Sequence, residues 1–379
     1  MLKINFFCAA KLFLCASFCS LFALFFIGAD LLLFKLILLF SLVAFLCVNV
    51  FVCKKINFAS VVLLLFVLVW LFLVLLFRSH GLNAQLSYFI AYDAFAFLAA
   101  LFFVSDVRYF ALLTRFYWIS IIFTCFFVAL DFADFYSFGG AILGGASVNY
   151  VTSFILVIAL LLIGFVFKYK GVIASWYLLP VLFFSIYFDS RFSMLVSAGG
   201  FLLLMLVAYA SKSAFRHTVF LFFCLASLIG FAVFSSSGYF CEYLSVVCND
   251  PRVYIWNDFF SSIDYLDYFF GVNFEDCCEV ISGGFKNNPH NSLVRSVAFY
   301  GFGSAVFVVL HFIVLAVFFI SPSGRVYAAL TALWMLRGWS DSIIFPYYFD
   351  FLFFSLVVLM FQGFVRPSKV RVGAGVADR

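Results

Sequence analysis

Three short groupings in this chain of 379 residues bring cations, one imidazole and turn-forming residues together in ways that suit chemistry on an anionic substrate. The first is Asp189-Ser190-Arg191, at the junction of two apolar runs. Read alone, Arg191 is an interfacial side chain that snorkels to lipid headgroups. The second joins Arg252 and Trp256, four apart and so on one face of a helix, with Pro251 suited to its first position and Asn249 or Asp250 near its cap. A guanidinium stacked on an indole is the structural use of such a pair, and a fork aimed at phosphate oxygens is the chemical one. The third is Asn288-Pro289-His290-Asn291-Ser292-Leu293, preceded by Gly283 and Gly284. A helix begins directly after His290, and an imidazole at such a place favours the neutral form that accepts a proton. Its structural alternative is an ordinary surface-loop histidine.

The elements that must position these groups are membrane helices. Hydrophobic residues make up 67% of the chain and charged residues 10%, with a mean hydropathy of +1.22. A soluble domain carries about a quarter charged residues, and this chain has too few to cover a water-facing surface. Its 62 Phe suit lipid contact as well as Leu does and specify no chemistry. The apolar runs approach the roughly 17–25 residues that cross hydrocarbon, and backbone groups in lipid must be satisfied within a helix. They place about a dozen spans, near 12–29, 31–53, 56–77, 88–104, 116–130, 151–167, 172–188, 192–210, 218–234, 296–320, 326–344 and 347–365. The start, with Lys3 and Lys11 ahead of an apolar stretch, resembles a signal peptide but reads as the first span, because the runs continue along the chain and no cleavage-site pattern precedes a soluble domain. The expectation is one polytopic membrane unit over 1–379.

Sidedness follows from charge. Lys3, Lys11, Lys54, Lys55, Arg108, Arg115, Lys168, Lys170, Lys212, Arg216, Arg325, Arg366, Lys369 and Arg371 fall at one alternating set of junctions. Asp131, Asp134, Asp189, Glu242, Asp250, Asp258, Asp264, Asp267, Glu275, Asp276 and Glu279 fall at the other. Basic junctions stay cytoplasmic, so both termini are expected there, and the net charge of +5 carries no implication of nucleic acid. The opposite face gains a long excursion, 235–295, and a shorter one, 131–150. Loops of that length are usually functional or disordered, and the aromatic, acidic stretch from Pro251 to Phe270 reads as folded and interfacial.

Cysteine agrees with this sidedness. Cys8, Cys15, Cys19, Cys47, Cys53, Cys125 and Cys224 lie in or beside spans, where thiols act as small apolar groups. The other four, Cys241, Cys248, Cys277 and Cys278, share the long excursion, and an even number on an oxidising face suggests two disulfides. Neighbours are poor partners, so Cys277 and Cys278 are each expected to bond back to Cys241 or Cys248. A metal site is the competing reading, but no well-spaced His accompanies them. Arg337 and Asp341, four apart, are expected to pair structurally. Asp93 is either a site member or an end-of-helix carboxylate, and Lys35 and His311 receive no role.

Taken together and in order, Ser190-Arg191 opening a helix, Arg252 to Trp256 followed by Gly271, and His290-Asn291 with Leu293 and then Gly301 resemble the membrane domain of the O-antigen ligase and O-antigen polymerase superfamily. The resemblance covers roughly 150–320. It implies an all-α, C-type glycosyltransferase-like fold in the bacterial inner membrane. The implied activity moves a glycan from undecaprenyl diphosphate to a sugar hydroxyl at the periplasmic face, with no cofactor and no obligatory metal. On this chain Arg191 and Arg252 would hold the diphosphate, His290 would activate or orient the acceptor hydroxyl, and Trp256 and Asn291 would support them. The implied partners are the lipid-linked oligosaccharide, an acceptor glycan, the bilayer, and a chain-length regulator or flippase. Family ligases often carry a small residue three after the equivalent of Gly301, where Ser304 stands here and Gly303 is one early. Polymerase and ligase, which joins the glycan to lipid A–core, therefore both stay open. A lipid-linked oligosaccharide flippase is the alternative from another class, against which stand the absent internal repeat and a midplane nearly free of charge. A structural or sensory protein would account for the long excursion and not for the three-part basic pattern.

Overall fold

The computed structural model describes residues 6–26, 32–53, 69–70, 74, 84–133, 147–209, 251–285, 287–322, 324–344 and 346–365. The spans expected at 56–77 and 218–234, most of the 131–150 excursion, and Cys241 and Cys248 lie outside the described residues, apart from helical positions 69, 70 and 74. The side chain of Arg252 also lies outside them.

Every regular element of length among the described residues is helical. The long ones are α1 (Phe6–Phe26), α2 (Leu32–Cys53), α3 (Ala84–Ser105), α4 (Arg108–Phe132), α5 (Val148–Lys170), α6 (Leu178–Tyr187) and α7 (Arg191–Tyr209). After the undescribed stretch come α8 (Pro251–Ser262), the single turns α9 (Asp267–Phe270) and α10 (Phe274–Cys277), then α11 (Ser292–Tyr300), α12 (Ala305–Ile320), α13 (Arg325–Trp339) and α14 (Asp350–Val365). Among the described residues, seven helices, counting α11 and α12 as one, are long and apolar enough to cross a membrane.

The bundle is organised around α5. Each residue from Val151 to Phe167 is buried, and α1, α4, α6, α7, α13 and α14 all touch this helix. A helix that is apolar all round has no water-facing side and belongs at the centre of an assembly. Ser147 caps its start by accepting from the Asn149 N–H, and Gly171, at φ +69, closes its end. Outer helices keep their large apolar side chains exposed, among them Phe40, Ile122, Phe183, Leu195 and Phe312, the surface that lipid would cover.

The two ends of the bundle differ in charge. Arg108, Lys168, Lys170 and Arg325 lie at one end, where the Lys168 ammonium donates to the Val104 carbonyl at 2.7 Å and to Gln362 at 2.8 Å. At the other end lie the junctions at 188–190 and 340–349 and the whole of 251–291, with Asp189, Asp258, Asp264, Asp267, Glu275, Asp276 and Glu279. The segment 251–285 is folded, and the stretch 251–270 expected to fold is part of it. Ile255, Phe259, Val272, Phe274, Cys278 and Ile281 form a small apolar core with Val294, Val297 and Ala298 of α11. Trp256 packs against that core, so its indole serves the loop's own interior.

Two expectations are corrected. The span placed at 296–320 is divided, with α11 ending at Tyr300 and a 3-10 turn over Gly301–Ser304 leading into α12. In addition, Cys277 and Cys278 are bonded to each other and not back to Cys241 or Cys248. Their Cα atoms are 3.7 Å apart, one peptide length, which is below the usual disulfide spacing of about 4.4–6.8 Å and is why adjacency argued against the pair. The bond closes across that single peptide at the end of α10, with Cys278 buried in the small core.

Gly301 explains the division of the span. It takes φ +51, and a Cβ there would meet the Phe269 carbonyl and come within 2.6 Å of the Gly271 nitrogen, itself at φ +73. The loop therefore docks on the helix only where a side chain is missing. Replacing Gly301 by Ala should cost about 1–3 kcal/mol in thermal unfolding of the detergent-purified protein, from overpacking and backbone strain. Gly199→Ala, with nothing within 4 Å of the added carbon, should be neutral or slightly stabilising.

Candidate functional site

The polar residues of the acidic end converge on the start of α11. Asn291 is its N-cap, accepting from the N–H groups of Leu293 at 2.8 Å and Val294 at 3.1 Å. The same side chain donates to the Trp339 carbonyl at 2.9 Å, and its own N–H donates to Ser342 at 3.1 Å. Ser292 donates to the Asp341 carbonyl at 2.9 Å and accepts from the N–H groups of Ile343 and Ile344 at 3.1 and 3.0 Å. Because an uncapped helix end leaves N–H groups without partners, these bonds stabilise α11 and at the same time fix the chain that follows α13.

His290 stands immediately before this cap, held at φ +48. Left-handed backbone is uncommon for a residue with a side chain and costs on the order of 1 kcal/mol or more, which surrounding contacts must offset. They do so here. The His290 N–H donates to Asn288 Oδ1 at 3.1 Å, and the Asn288 amide donates to the Tyr150 hydroxyl of α5 at 3.2 Å. The ring meets the edge of Phe285 with centroids 5.7 Å apart. Its Nδ1 lies 3.6 Å from Asp341 Oδ1, and Nε2 has no hydrogen-bond partner among the described residues. The imidazole is one-third exposed and Asp341 is 4% exposed, so the ring meets a buried carboxylate on one side and stays partly open on the other.

Behind Asp341 is Arg337, 2% exposed, with Nη2 at 3.4 Å from Asp341 Oδ2. The expected pair is present, yet it is one link of a longer chain. Arg337 Nε donates to Ser193 of α7 at 3.0 Å and Nη1 to Ser340 at 2.8 Å. Ser193 Oγ lies 3.1 Å from Thr152 Oγ1 of α5, which donates to Ser190 at 3.2 Å. Burial alone would push the Asp341 carboxyl up, but His290, Arg337 and the Ser342 N–H outweigh it and hold the group below the ordinary carboxylate value. Asp341 is thus held toward its anionic form, and Nδ1 is the ring nitrogen of His290 that faces it.

Of the residues singled out in sequence, the structure brings His290 and Asn291 together and joins Ser190 to them through Thr152, Ser193, Arg337 and Asp341. Arg191 itself points away from this chain, 85% exposed and 3.4 Å from the equally open Asp189. That is the geometry of a side chain available at the surface of the bundle. Arg252 is the second residue of α8, at the same end. Among the described residues no three His, Cys, Asp or Glu gather in a metal-ligating arrangement. His311 is internally satisfied, with Nδ1 at 2.8 Å from the Phe307 carbonyl and Nε2 accepting from the Trp339 indole at 3.1 Å.

One buried cation escaped sequence reading. Arg295, four residues after Asn291 and 7% exposed, donates Nε to the Pro346 carbonyl at 2.9 Å, and its guanidinium lies 4.9 to 5.4 Å from the ring centroids of Phe299, Tyr347 and Phe89. Its one legible signal is a charged residue set inside an apolar run. Compared with protein-family models, with curated proteins and with solved structures, the chain gives no match.

Removing Arg337 should leave Asp341 as a buried charge with only the Ser342 N–H and His290 beside it. Arg337→Ala is therefore expected to destabilise by about 3–5 kcal/mol and to lower the amount of folded protein in membranes. Arg191→Ala should leave both the unfolding temperature and the folded amount unchanged. Equal loss in the two variants would remove the distinction drawn between them.

Proposed function

We propose that this chain is a membrane-embedded glycosyltransferase that moves a glycan from a polyprenyl diphosphate carrier to a sugar hydroxyl, in the manner of O-antigen polymerases and ligases. The observation that carries the reading is the His290–Asp341–Arg337 chain, a one-third-exposed imidazole beside a buried carboxylate at the acidic end of an apolar bundle. Glycosyl transfer needs a proton removed from the attacking hydroxyl and negative charge neutralised on the departing diphosphate. Nε2 of His290 takes the proton, Asp341 stabilises the imidazolium that results, and Arg337 keeps Asp341 charged and in place. Arg191, open to the surface beside this chain, and Arg252 bind the diphosphate at headgroup depth, where a lipid carrier holds its charges while its tail lies among helices such as α7 and α12. Asn291 fixes the backbone that aims the imidazole, and Trp256 holds α8, which carries Arg252.

In this reading the acidic end faces the periplasm, the basic end and both termini face the cytoplasm, and the full complement of spans is about a dozen. Extension of repeat units and ligation to lipid A–core share the donor chemistry and differ in acceptor.

His290→Ala, Arg191→Ala and Arg252→Ala should each abolish long glycan chains on gels while protein levels in membranes stay normal. For His290→Ala the loss expected from a general base is about 10²–10⁴-fold in rate. In a deletion strain, loss of all attached glycan identifies a ligase and a single remaining repeat unit identifies a polymerase. Unchanged glycans in the deletion strain, or wild-type profiles in all three variants, would defeat the reading.

A further inference from the structure

The buried guanidinium of Arg295 is less fully engaged than that of Arg337. Its Nε donates to the Pro346 carbonyl at 2.9 Å, and the rings of Phe299, Tyr347 and Phe89 flank the group. Nη1 and Nη2 carry four N–H donors and have no hydrogen-bond partner among the described residues. No ion pair there includes Arg295 either. Neither atom is one of the buried nitrogens and oxygens sealed without a partner, so the 7% of Arg295 that stays open includes its terminal nitrogens.

Aromatic rings attract a guanidinium's charge but offer its edge no oxygen acceptor. Asp93 is close enough to feel that charge, yet it accepts from the Tyr300 hydroxyl and forms no ion pair with Arg295. Charged donors left idle in an apolar setting are costly, and the group that meets a guanidinium edge two bonds at a time is an oxyanion. Arg295 also belongs to the frame of the imidazole. Its N–H donates to the Asn291 carbonyl at 3.1 Å, one helical turn back and directly after His290. Its neighbour Tyr347 stacks on Tyr150 with centroids 5.5 Å apart, and the Tyr150 hydroxyl accepts from Asn288, which holds the His290 N–H.

We propose that Arg295 binds a phosphate group of the substrate, with Nη1 and Nη2 directed at its oxygens. The inference rests on the polyprenyl diphosphate donor proposed above and adds a buried cation to the surface cations Arg191 and Arg252. In the transfer, the bond between the sugar's anomeric carbon and the diphosphate oxygen breaks, and its electron pair stays on that oxygen. The acceptor hydroxyl forms the new bond and gives its proton to His290. A fixed guanidinium in a water-poor setting stabilises the charge gathering on the departing diphosphate more than an exposed one does.

Calorimetric titration of the full chain in phosphatidylcholine nanodiscs with farnesyl diphosphate, a soluble short-chain prenyl diphosphate, tests this. The wild type should bind it, and inorganic pyrophosphate should compete. Arg295→Gln should weaken binding about 10–100-fold, the range expected for lost charge-assisted hydrogen bonds, and Arg295→Lys should restore part of it. Arg108→Gln, at the basic end, should bind as the wild type does. Wild-type affinity in a folded Arg295→Gln, or no binding by the wild type, would overturn the proposal. So would loss of binding in discs that contain phosphatidic acid, which would assign the site to a membrane headgroup. If neither variant folds, ³¹P–¹⁵N recoupling with bound pyrophosphate decides, using ¹⁵N-arginine protein in which Arg191 and Arg252 are replaced by Lys. A guanidinium signal dephased by phosphorus is expected, and its absence would count against the site. Binding that depends on Arg295 together with unchanged glycans in the deletion strain would leave the phosphate site standing and remove the transferase. Glycan loss in His290→Ala with full affinity in Arg295→Gln would do the reverse.

Discussion

Charge in an apolar matrix is affordable only in closed chains, and the chain Arg337–Asp341–His290 is the one on which the acidic end of this protein depends. Arg337 is almost fully buried, and its guanidinium has five donors to satisfy. Ser340 and Asp341, just after α13, Ser193 of α7 and the Asn149 carbonyl of α5 take up the requirement. The arrangement fixes α7 against α13, brings the segment after α13 under the start of α11, and presents one nitrogen of His290 outward. The positive φ of His290 belongs to the same economy, since strain at a single residue persists where its neighbours over-determine it.

The apolar frame supports this by being rigid in one place and open in another. α5 is enclosed along Val151–Phe167, and its first turn contributes Asn149, Tyr150 and Thr152 to the polar end, so the best-packed helix is also a direct support of the site. The folded segment 251–285 sits on α11 by its own small core and by the approach of Phe269 and Gly271 to Gly301. The loop is thereby fastened to the acidic end of the bundle, beside the start of α11, and Arg252 is the second residue of its first helix.

Much of this architecture was legible in the sequence, because periodicity and charge are local properties. Most described helices lie within a few residues of the apolar runs, and the i, i+4 spacing of Arg337 and Asp341 correctly indicated their pairing. A helix directly after His290 was also expected, and it starts at Ser292 with Asn291 as its cap. What could not be read was tertiary. Asn291 and Ser342 are 51 residues apart, and nothing local shows that the loop after α13 returns to hold His290. Arg295 was hidden by the apolar residues around it, and the bond from Tyr300 to Asp93 joins residues 207 apart. The division at Gly301 was missed because a φ of +51 is chosen by the approaching Phe269–Gly271 backbone and not by the run itself. The Cys277–Cys278 bond was misjudged because a rule drawn from ordinary disulfide spacing was applied to adjacent residues.

The arrangement of the imidazole is the point on which the functional account turns. Solid-state NMR of the protein with ¹⁵N-labelled histidine in lipid bilayers, with His290 assigned by its loss in His290→Ala, reads which ring nitrogen carries the proton. The account predicts a neutral ring protonated at Nδ1, toward Asp341, with that signal displaced in Asp341→Asn. A ring protonated only at Nε2, or one indifferent to the Asp341 substitution, would contradict it.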